Sequence, residues 1–404
     1  MAAPRILMLT HYFERHRGGI ELVANALANE LRSRGFRLRW LATGKNCADD
    51  TEGQDWRHAL AGSNICETLL KVPYPLLYPS AWRAIWADVK SADVVLVHDA
   101  IYMTAIAGWL AARLCGKPMV VVQHIGAVPY RNLLLRMLMV LANRLIAVPI
   151  LRRADRVVFI SEQTAKFFSR VRLRQPPALI FNGVDTQIFH PPAGREQIAE
   201  ARCEHNLPPK ASIALFVGRF VEKKGLAVLE RIARAHPDIL FVFAGWGAID
   251  PTSWHLANVR VYRSLSGSSL ALLYRASDAL LLPSVGEGFP LVIQEALACG
   301  LPVICGTDTA EADAAATDFL SGIPVHLGDP EGTARLFAEE LLRLLQNGAT
   351  EADRQTRYGF AKERYSWSNV TSAYVRLLTE TWVQQCRHGA RQSRAVSGDR
   401  ALKR

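Results

Sequence analysis

The chain has little of what places a protein outside the cell or inside a membrane. Its seven cysteines in 404 residues, at 47, 66, 115, 203, 299, 305 and 386, include no C-x-x-C pair. Cys115, Cys299 and Cys305 sit in or beside apolar segments, the pattern of reduced, buried thiols, and this points to a cytosolic compartment. No run of eighteen apolar residues occurs, so no membrane-spanning helix is expected. The opening MAAPRILMLTHYF has too short an apolar core for a secretory signal. No G-x-G-x-x-G follows a strand-like run, since position 250, after Gly245-Trp246-Gly247, is Asp, and this argues against an NAD-dependent dehydrogenase. No Asp-x-Asp stands in a loop fit for a metal-held diphosphate, and no nucleic-acid motif is present.

What is present is apolar bulk and positive charge. Half the residues are hydrophobic, enough for large cores, and 404 residues suggest two or three domains. The net charge is +11. Arg387, Arg391, Arg394, Arg400, Lys403 and Arg404 against Asp399 supply +5 of it from the C-terminal tail. An anionic membrane surface is a candidate partner for such a tail.

Apolar runs alternate with helical patterns along the chain. Residues 5–9 and 36–43 read as strands, and Asn64 to Val72 as a third. Gly18-Gly19 sits where the first loop meets a helix with Leu22, Ala26, Leu27 and Leu31 at helical spacing. Without a Cβ, such a glycine lets a phosphate or sugar approach the backbone; a simple turn is the other reading. Trp82, Ile85, Trp86 and Val89 fall on one helix face, open to a core-facing or an interfacial reading. DVVLVHD (93–99) and PMVVVQH (118–124) are near-continuous apolar runs, as in parallel strands covered on both faces. Each ends in a His, and polar residues at strand C-termini face the ligand crevice of an open α/β sheet. Residues 131–153 are the most apolar helix, interrupted or flanked by five arginines and no acid. Arg136, Asn143 and Arg144 disfavour a transmembrane span.

The most informative stretch is DALLLPSVGEGFPLVIQEALACGLPVIC, residues 278–305. It reads as strand, acidic loop, helix from Pro290 to about Cys299, and strand. A helix N-terminus offers free N–H groups and partial positive charge to an anion. Carboxylates beside that anion would repel it, so Glu287 and Glu295 are expected to accept hydrogen bonds from hydroxyls. Phosphate flanked by hydroxyl-binding carboxylates describes a nucleotide sugar. Upstream, SIALFVGRFVEKKG places Arg219 and Lys224 five residues apart between a strand and a helix, where both can hold a diphosphate.

E-G-F-P-L-V-I-Q-E, with the G-R…K-G of Gly218, Arg219, Lys224 and Gly225, resembles the retaining glycosyltransferases of family 4. The resemblance spans about residues 5–382. It implies the α/β GT-B fold, two doubly wound Rossmann-like domains facing across a cleft. Residues 1–190 would form the acceptor-side domain, 191–210 the linker and 211–366 the nucleotide-sugar-binding domain. Residues 367–386 would be a helix crossing back, and 387–404 a basic disordered tail. Asn182, Gly183, Val184, Asp185 and Phe189 resemble the segment that closes the first domain.

By resemblance the reaction is transfer of a hexose-type sugar from a nucleotide diphosphate sugar to a glycan or lipid-linked acceptor. The site residues implied are Glu287 and His124 on the donor sugar, and Arg219 and Lys224 on the diphosphate. Glu295 would bind the ribose, and the N–H groups of Phe289, Leu291 and Val292 would help hold the donor. Gly19 would lie beside the phosphates, and Gly245 in a glycine turn. No metal and no cofactor is implied. After Cys305 the chain departs from the family, with GTDTAEADAAATD in place of a Gly-Gly turn. A GT-B-like epimerase or phosphorylase, or a non-catalytic sugar-nucleotide-binding protein, shares the architecture. The paired motifs argue for transfer, on the cytoplasmic face, with peripheral docking on the inner membrane surface as a further expectation.

Overall fold

Apolar runs become strands and the amphipathic stretches between them become helices. The computed structural model describes residues 3–16, 18–44, 55–70, 72–126 and 133–401. Two units emerge. Unit 1 takes the chain to Ile160, Thr164–Ile180 and the residues from Val370 onward; unit 2 takes Ser161–Gln163 and Phe181–Asn369.

Unit 1 is built on β1 (Arg5–Tyr12), β2 (Arg37–Thr43), β3 (Arg57–Leu60), β4 (Val94–His98), β5 (Met119–Gln123), β6 (Arg156–Phe159) and β7 (Ala178–Leu179). They pair in the order β3-β2-β1-β4-β5-β6-β7, every pair parallel. All five residues of β4 and of β5 are buried, as a sheet covered on both faces requires. The covering helices include α1 (Gly19–Ser33), α2 (Ile65–Leu70), α3 (Pro79–Ser91), α4 (Met103–Leu114), α5 (Leu133–Ala142) and α6 (Val148–Arg153).

Unit 2 repeats the plan with β8 (Ser212–Phe220), β9 (Ile239–Gly247), β10 (Val259–Tyr262), β11 (Ala279–Leu282), β12 (Val303–Gly306) and β13 (Leu320–Ile323). The order is β10-β9-β8-β11-β12-β13, again all parallel. Around it pack helices including α7 (Arg195–Glu204), α8 (Leu226–Ala235), α9 (Gly267–Ala276), α10 (Leu291–Ala298), α11 (Pro330–Asn347) and α12 (Glu351–Tyr365). In each unit the strand order reverses at one place, beside β1 and β4 or beside β8 and β11. Ligands of open α/β sheets bind at the strand C-termini there.

Several sequence expectations need correction. Residues 65–70 are helix α2, and the third strand is Arg57–Leu60. Short apolar runs do not separate helix from strand by period alone, and Thr68 N–H donates to the Asn64 carbonyl at 3.1 Å to close a helical turn. The unit boundary falls at Ile180/Phe181, and part of the expected linker is helix α7. Proline and charge suggested a linker, yet Arg202 is buried there and donates to the carbonyls of Ala276 and Pro209. The last helix, α13 (Trp367–Ala401), continues past 386 through the residues expected to be a disordered tail. No proline interrupts that stretch, and its Arg, Gln and Ala residues favour helix. From Val370 α13 belongs to unit 1, where Ser372 accepts from Arg34 at 2.9 Å and Gln385 donates to Gly116 at 2.9 Å.

The aromatic residues of 74–86 divide. Trp82, Trp86 and Tyr74 pack against the unit 1 core, and Tyr78 is exposed. Leu133–Arg153 is long and apolar enough to cross a membrane by length and composition only, with Arg136 and Arg144 interrupting it. Arg131 and Asn132, Cys47, and Lys403 and Arg404 lie outside the described residues. The six described cysteines are free thiols.

Candidate active site

Three close backbone approaches shape the site edge of unit 2. Gly245 and Gly247 are strand residues of β9, paired with Gly218 and Phe220 of β8. A Cβ on Gly245 would stand 1.9 Å from the Gly218 carbonyl oxygen, and one on Gly247 2.2 Å from that of Phe220. The expected glycine turn is therefore a strand crossing that only glycine fits, which accounts for Gly245 by packing. Gly225 has φ +74, and a Cβ there would meet the Pro283 carbonyl oxygen at 2.2 Å. Gly225 thus presses the loop after β8 against the loop after β11. Val285 N–H donates to the Lys223 carbonyl at 3.0 Å and locks the two together.

Those loops carry the charges. The Glu287 carboxylate lies 3.1 Å from Lys223 Nζ and 3.2 Å from Lys224 Nζ. Burial alone would raise its pKa; the two ammonium groups outweigh burial and hold it below the ordinary value. Burial lowers the Lys224 pKa, helped by the positive charges of Lys223 and Arg219 and opposed by Glu287. Arg219, at the end of β8, is exposed, and its guanidinium makes no hydrogen bond or ion pair with a described residue. A cradle of three cations thus contains one carboxylate, leaving net positive charge for an anion.

Glu295 lies on α10, about one turn beyond Leu291. The Tyr274 hydroxyl donates to its carboxylate at 2.7 Å. Burial pushes the Glu295 pKa up to about 7, only partly offset by that hydrogen bond. Pro290 is the residue before α10, not its first turn, and supplies no side-chain cap. The N–H groups of Leu291 and Val292 are among those a helix start leaves without intrahelical partners. Phe289 is buried against the rings of Phe181 and Tyr365, which fixes the loop but leaves its side chain no access to a ligand.

Unit 1 gathers a second set at its own reversal point. His124, just after β5, is buried, and its Nε2 stands 3.0 Å from Nδ1 of His98. Burial brings His124 down to about 3 and His98 well below its ordinary value, so both rings are neutral and share one hydrogen. His11 at the end of β1 meets Glu21 at 2.9 Å, and His16 meets it at 3.4 Å. Burial would raise the Glu21 pKa; hydrogen bonds from His11 and His16 reverse that and hold it far down. His16 also contacts Glu67 at 2.9 Å; burial works against its charge, but the two carboxylates prevail and raise its pKa. A Cβ on Gly18 would clash with the Glu21 carboxylate at 2.1 Å, whereas Gly19 has open space there. Among the described residues of unit 1, nothing requires glycine at 19.

Arg219, Lys224, Glu287, Glu295, Leu291 and Val292 therefore share one edge of unit 2, while Gly19 and His124 share one edge of unit 1. Sequence reading missed Lys223, Tyr274, His11, His16 and Glu21. The doubled lysine of E-K-K-G and the Glu of Gly18-Gly19-Ile20-Glu21 were the available signals. In the departing loop after Cys305, Asp313 accepts from Arg364 and Tyr365, a structural anchor. Among the described residues no cluster of three or more His, Cys, Asp or Glu could hold a metal ion.

Two parallel, doubly wound units, with basic and acidic loops at the reversal point of the second, define a glycosyltransferase of GT-B fold. Residues 17–188 match the family described as Glycosyltransferase Family 4, and residues 197–362 match glycosyl transferases group 1. A D-inositol 3-phosphate glycosyltransferase of Catenulispora acidiphila is 31% identical over 69% of this chain and 71% of that protein. The enzyme of that name from Mycobacteroides abscessus is 27% identical over 90% of this chain and 85% of that protein. Sucrose-phosphate synthase from Thermosynechococcus elongatus superposes with a TM-score of 0.76 at 19% identity, covering 94% of this chain and all of that one. Anabaena HepE, crystallised with UDP-glucose, gives 0.69 at 17% identity, covering 93% of this chain and all of that one. The chain belongs to glycosyltransferase family 4.

Proposed function

We propose that this enzyme transfers a hexose from a nucleoside diphosphate hexose to a glycan or lipid-linked acceptor, with retention at the anomeric carbon. The observation that carries the reading is the Glu287–Lys223–Lys224 cluster beside Arg219. As the anomeric C–O bond breaks, negative charge develops on the departing diphosphate, and Arg219 and Lys224 neutralise it. Glu295 accepts the ribose hydroxyls, and Glu287 accepts those of the sugar once the phosphates take over its lysines. The N–H groups of Phe289, Leu291 and Val292 add donors. In unit 1, Gly19 and the neutral His124 are the residues that the family resemblance assigns to the phosphates and the sugar. Because side chains carry the diphosphate, neither a divalent metal nor a cofactor is required.

The relatives named for D-inositol 3-phosphate and the UDP-glucose complex of Anabaena HepE suggest where to begin. UDP-glucose is the first donor to try, and a phosphorylated cyclitol one acceptor beside lipid-linked glycans. Free thiols favour a cytoplasmic setting, and synthesis of cell-surface polysaccharide or glycolipid suits a lipid-linked acceptor. A thermal-shift screen of nucleotide sugars tests the reading. A true donor raises the midpoint, by about 2.7 kcal/mol of stability at a hundredfold excess over Kd. Stabilisation by no nucleotide sugar would refute it.

A further inference from the structure

The α5 helix is apolar yet buries none of its ten residues. Leu133, Met137, Leu138, Val140 and Leu141 are each at least half exposed, as is Leu145 just beyond it. At 100° per residue the five positions of α5 fall within an arc of about 160°. Met139 lies outside that arc and packs on the unit 1 core. Folded monomers rarely leave so large a contiguous apolar surface in water.

Two further observations say what covers it. First, residues 126–154 contain no Asp or Glu but five arginines, of which Arg136, Arg144, Arg152 and Arg153 are exposed. Second, the patch continues onto a neighbouring segment. The Gly126 carbonyl accepts from Asn143 Nδ2 at 3.0 Å, and a Cβ on Gly126 would meet the Phe167 ring at 3.1 Å. Phe167 is 47% exposed. Exposed Lys166, Arg170 and Arg172 flank it. The surface is an apolar face flanked by these exposed cations, the complement of an anionic bilayer leaflet.

We infer that α5 docks this enzyme on an anionic membrane, lying in the plane of one leaflet and not crossing it. Ala147, Ile150 and Leu151, on the same continuous helical stretch, are core residues of unit 1. That anchoring removes the C-terminal third of the segment from any span. The exposed arc enters the acyl boundary, and the arginines meet lipid phosphates. Docking there rests on the glycosyl-transfer reading and makes the acceptor a lipid-anchored one, presented at the headgroup level.

Flotation of the full chain with vesicles of phosphatidylcholine alone, or with phosphatidylglycerol added, tests the inference. Binding requires the anionic lipid and falls as salt rises. Leu138→Gln/Leu141→Gln abolishes flotation while leaving the melting midpoint and nucleotide-sugar stabilisation unchanged, since both leucines are exposed. Arg136→Gln/Arg144→Gln weakens vesicle affinity about thirty-fold. Equal flotation with neutral vesicles, or none at low salt, overturns docking. So does a lipid-free dimer that the leucine pair variant converts to monomer, because a second copy would then cover the face. Loss of docking with nucleotide-sugar stabilisation intact leaves the donor reading standing; docking without any such stabilisation sinks the donor reading alone.

Discussion

The carboxylate of Glu287 sits between the ammonium groups of Lys223 and Lys224, 3.1 Å from one and 3.2 Å from the other. Under the proposed function, the lysine that would meet the diphosphate is neutralised by this carboxylate in the free protein. A diphosphate would offer Lys224 more negative charge than a single carboxylate, and the exchange would free Glu287 to accept hydroxyls.

Lys224→Ala removes the more buried of the two ammonium groups. Loss of one charge-assisted contact to a developing diphosphate costs about 2–4 kcal/mol, a thirty-fold to thousand-fold fall in kcat/KM. Lys223 is half-exposed and screened, so Lys223→Ala costs under about tenfold. Steady-state kinetics with the identified donor checks both, and equal losses would show that the two lysines share the phosphates.

The Glu295 carboxyl, raised by burial to about 7, titrates near neutrality in the free enzyme. Ribose hydroxyls donating to the carboxylate favour its charged form and pull that pKa down. Nucleotide binding then releases a fraction of a proton near pH 7, and affinity falls as pH drops below 7. The sign for stability follows from the same shift. The unfolded carboxyl titrates near 4.5, so its contribution is full below that and is lost as pH rises towards 7. Calorimetry in two buffers of different ionisation heat counts the protons, and Glu295→Gln abolishes the release.

Gly225→Ala places a methyl 2.2 Å from the Pro283 carbonyl oxygen at a φ of +74. Strain and overpacking together cost about 2–4 kcal/mol, read as a lower thermal midpoint. Activity falls further than stability explains, because Lys224 is the preceding residue.

Much of this was legible in the sequence. Strands such as Val94–His98 announced themselves as apolar runs, because a parallel sheet is buried on both faces. G-R…K-G and the two glutamates were legible because loop chemistry is local. What escaped depended on partners distant in sequence. Lys223 gains meaning only from Glu287, and Glu21 only from His11 and His16. Gly245 looked like a turn because its reason, the Gly218 carbonyl, lies on another strand. Residues 65–70 escape a sequence reading because a six-residue segment carries too few periods to separate helix from strand.

Transfer activity should survive excess EDTA if cationic side chains carry the diphosphate, as proposed. Complete loss restored by Mg²⁺ or Mn²⁺ would show that a metal shares that charge.

The assignment of the two glutamates is the centre of the account, and calorimetric titration of Glu287→Ala and Glu295→Ala tests it most directly. Each variant is titrated with the free nucleoside diphosphate and with the nucleotide sugar. Glu295→Ala weakens both ligands if its partner is the ribose, as proposed. Glu287→Ala leaves the nucleoside diphosphate almost unaffected and weakens the nucleotide sugar. The reverse pattern, with Glu287 governing the nucleoside diphosphate and Glu295 the sugar, would contradict the assignment.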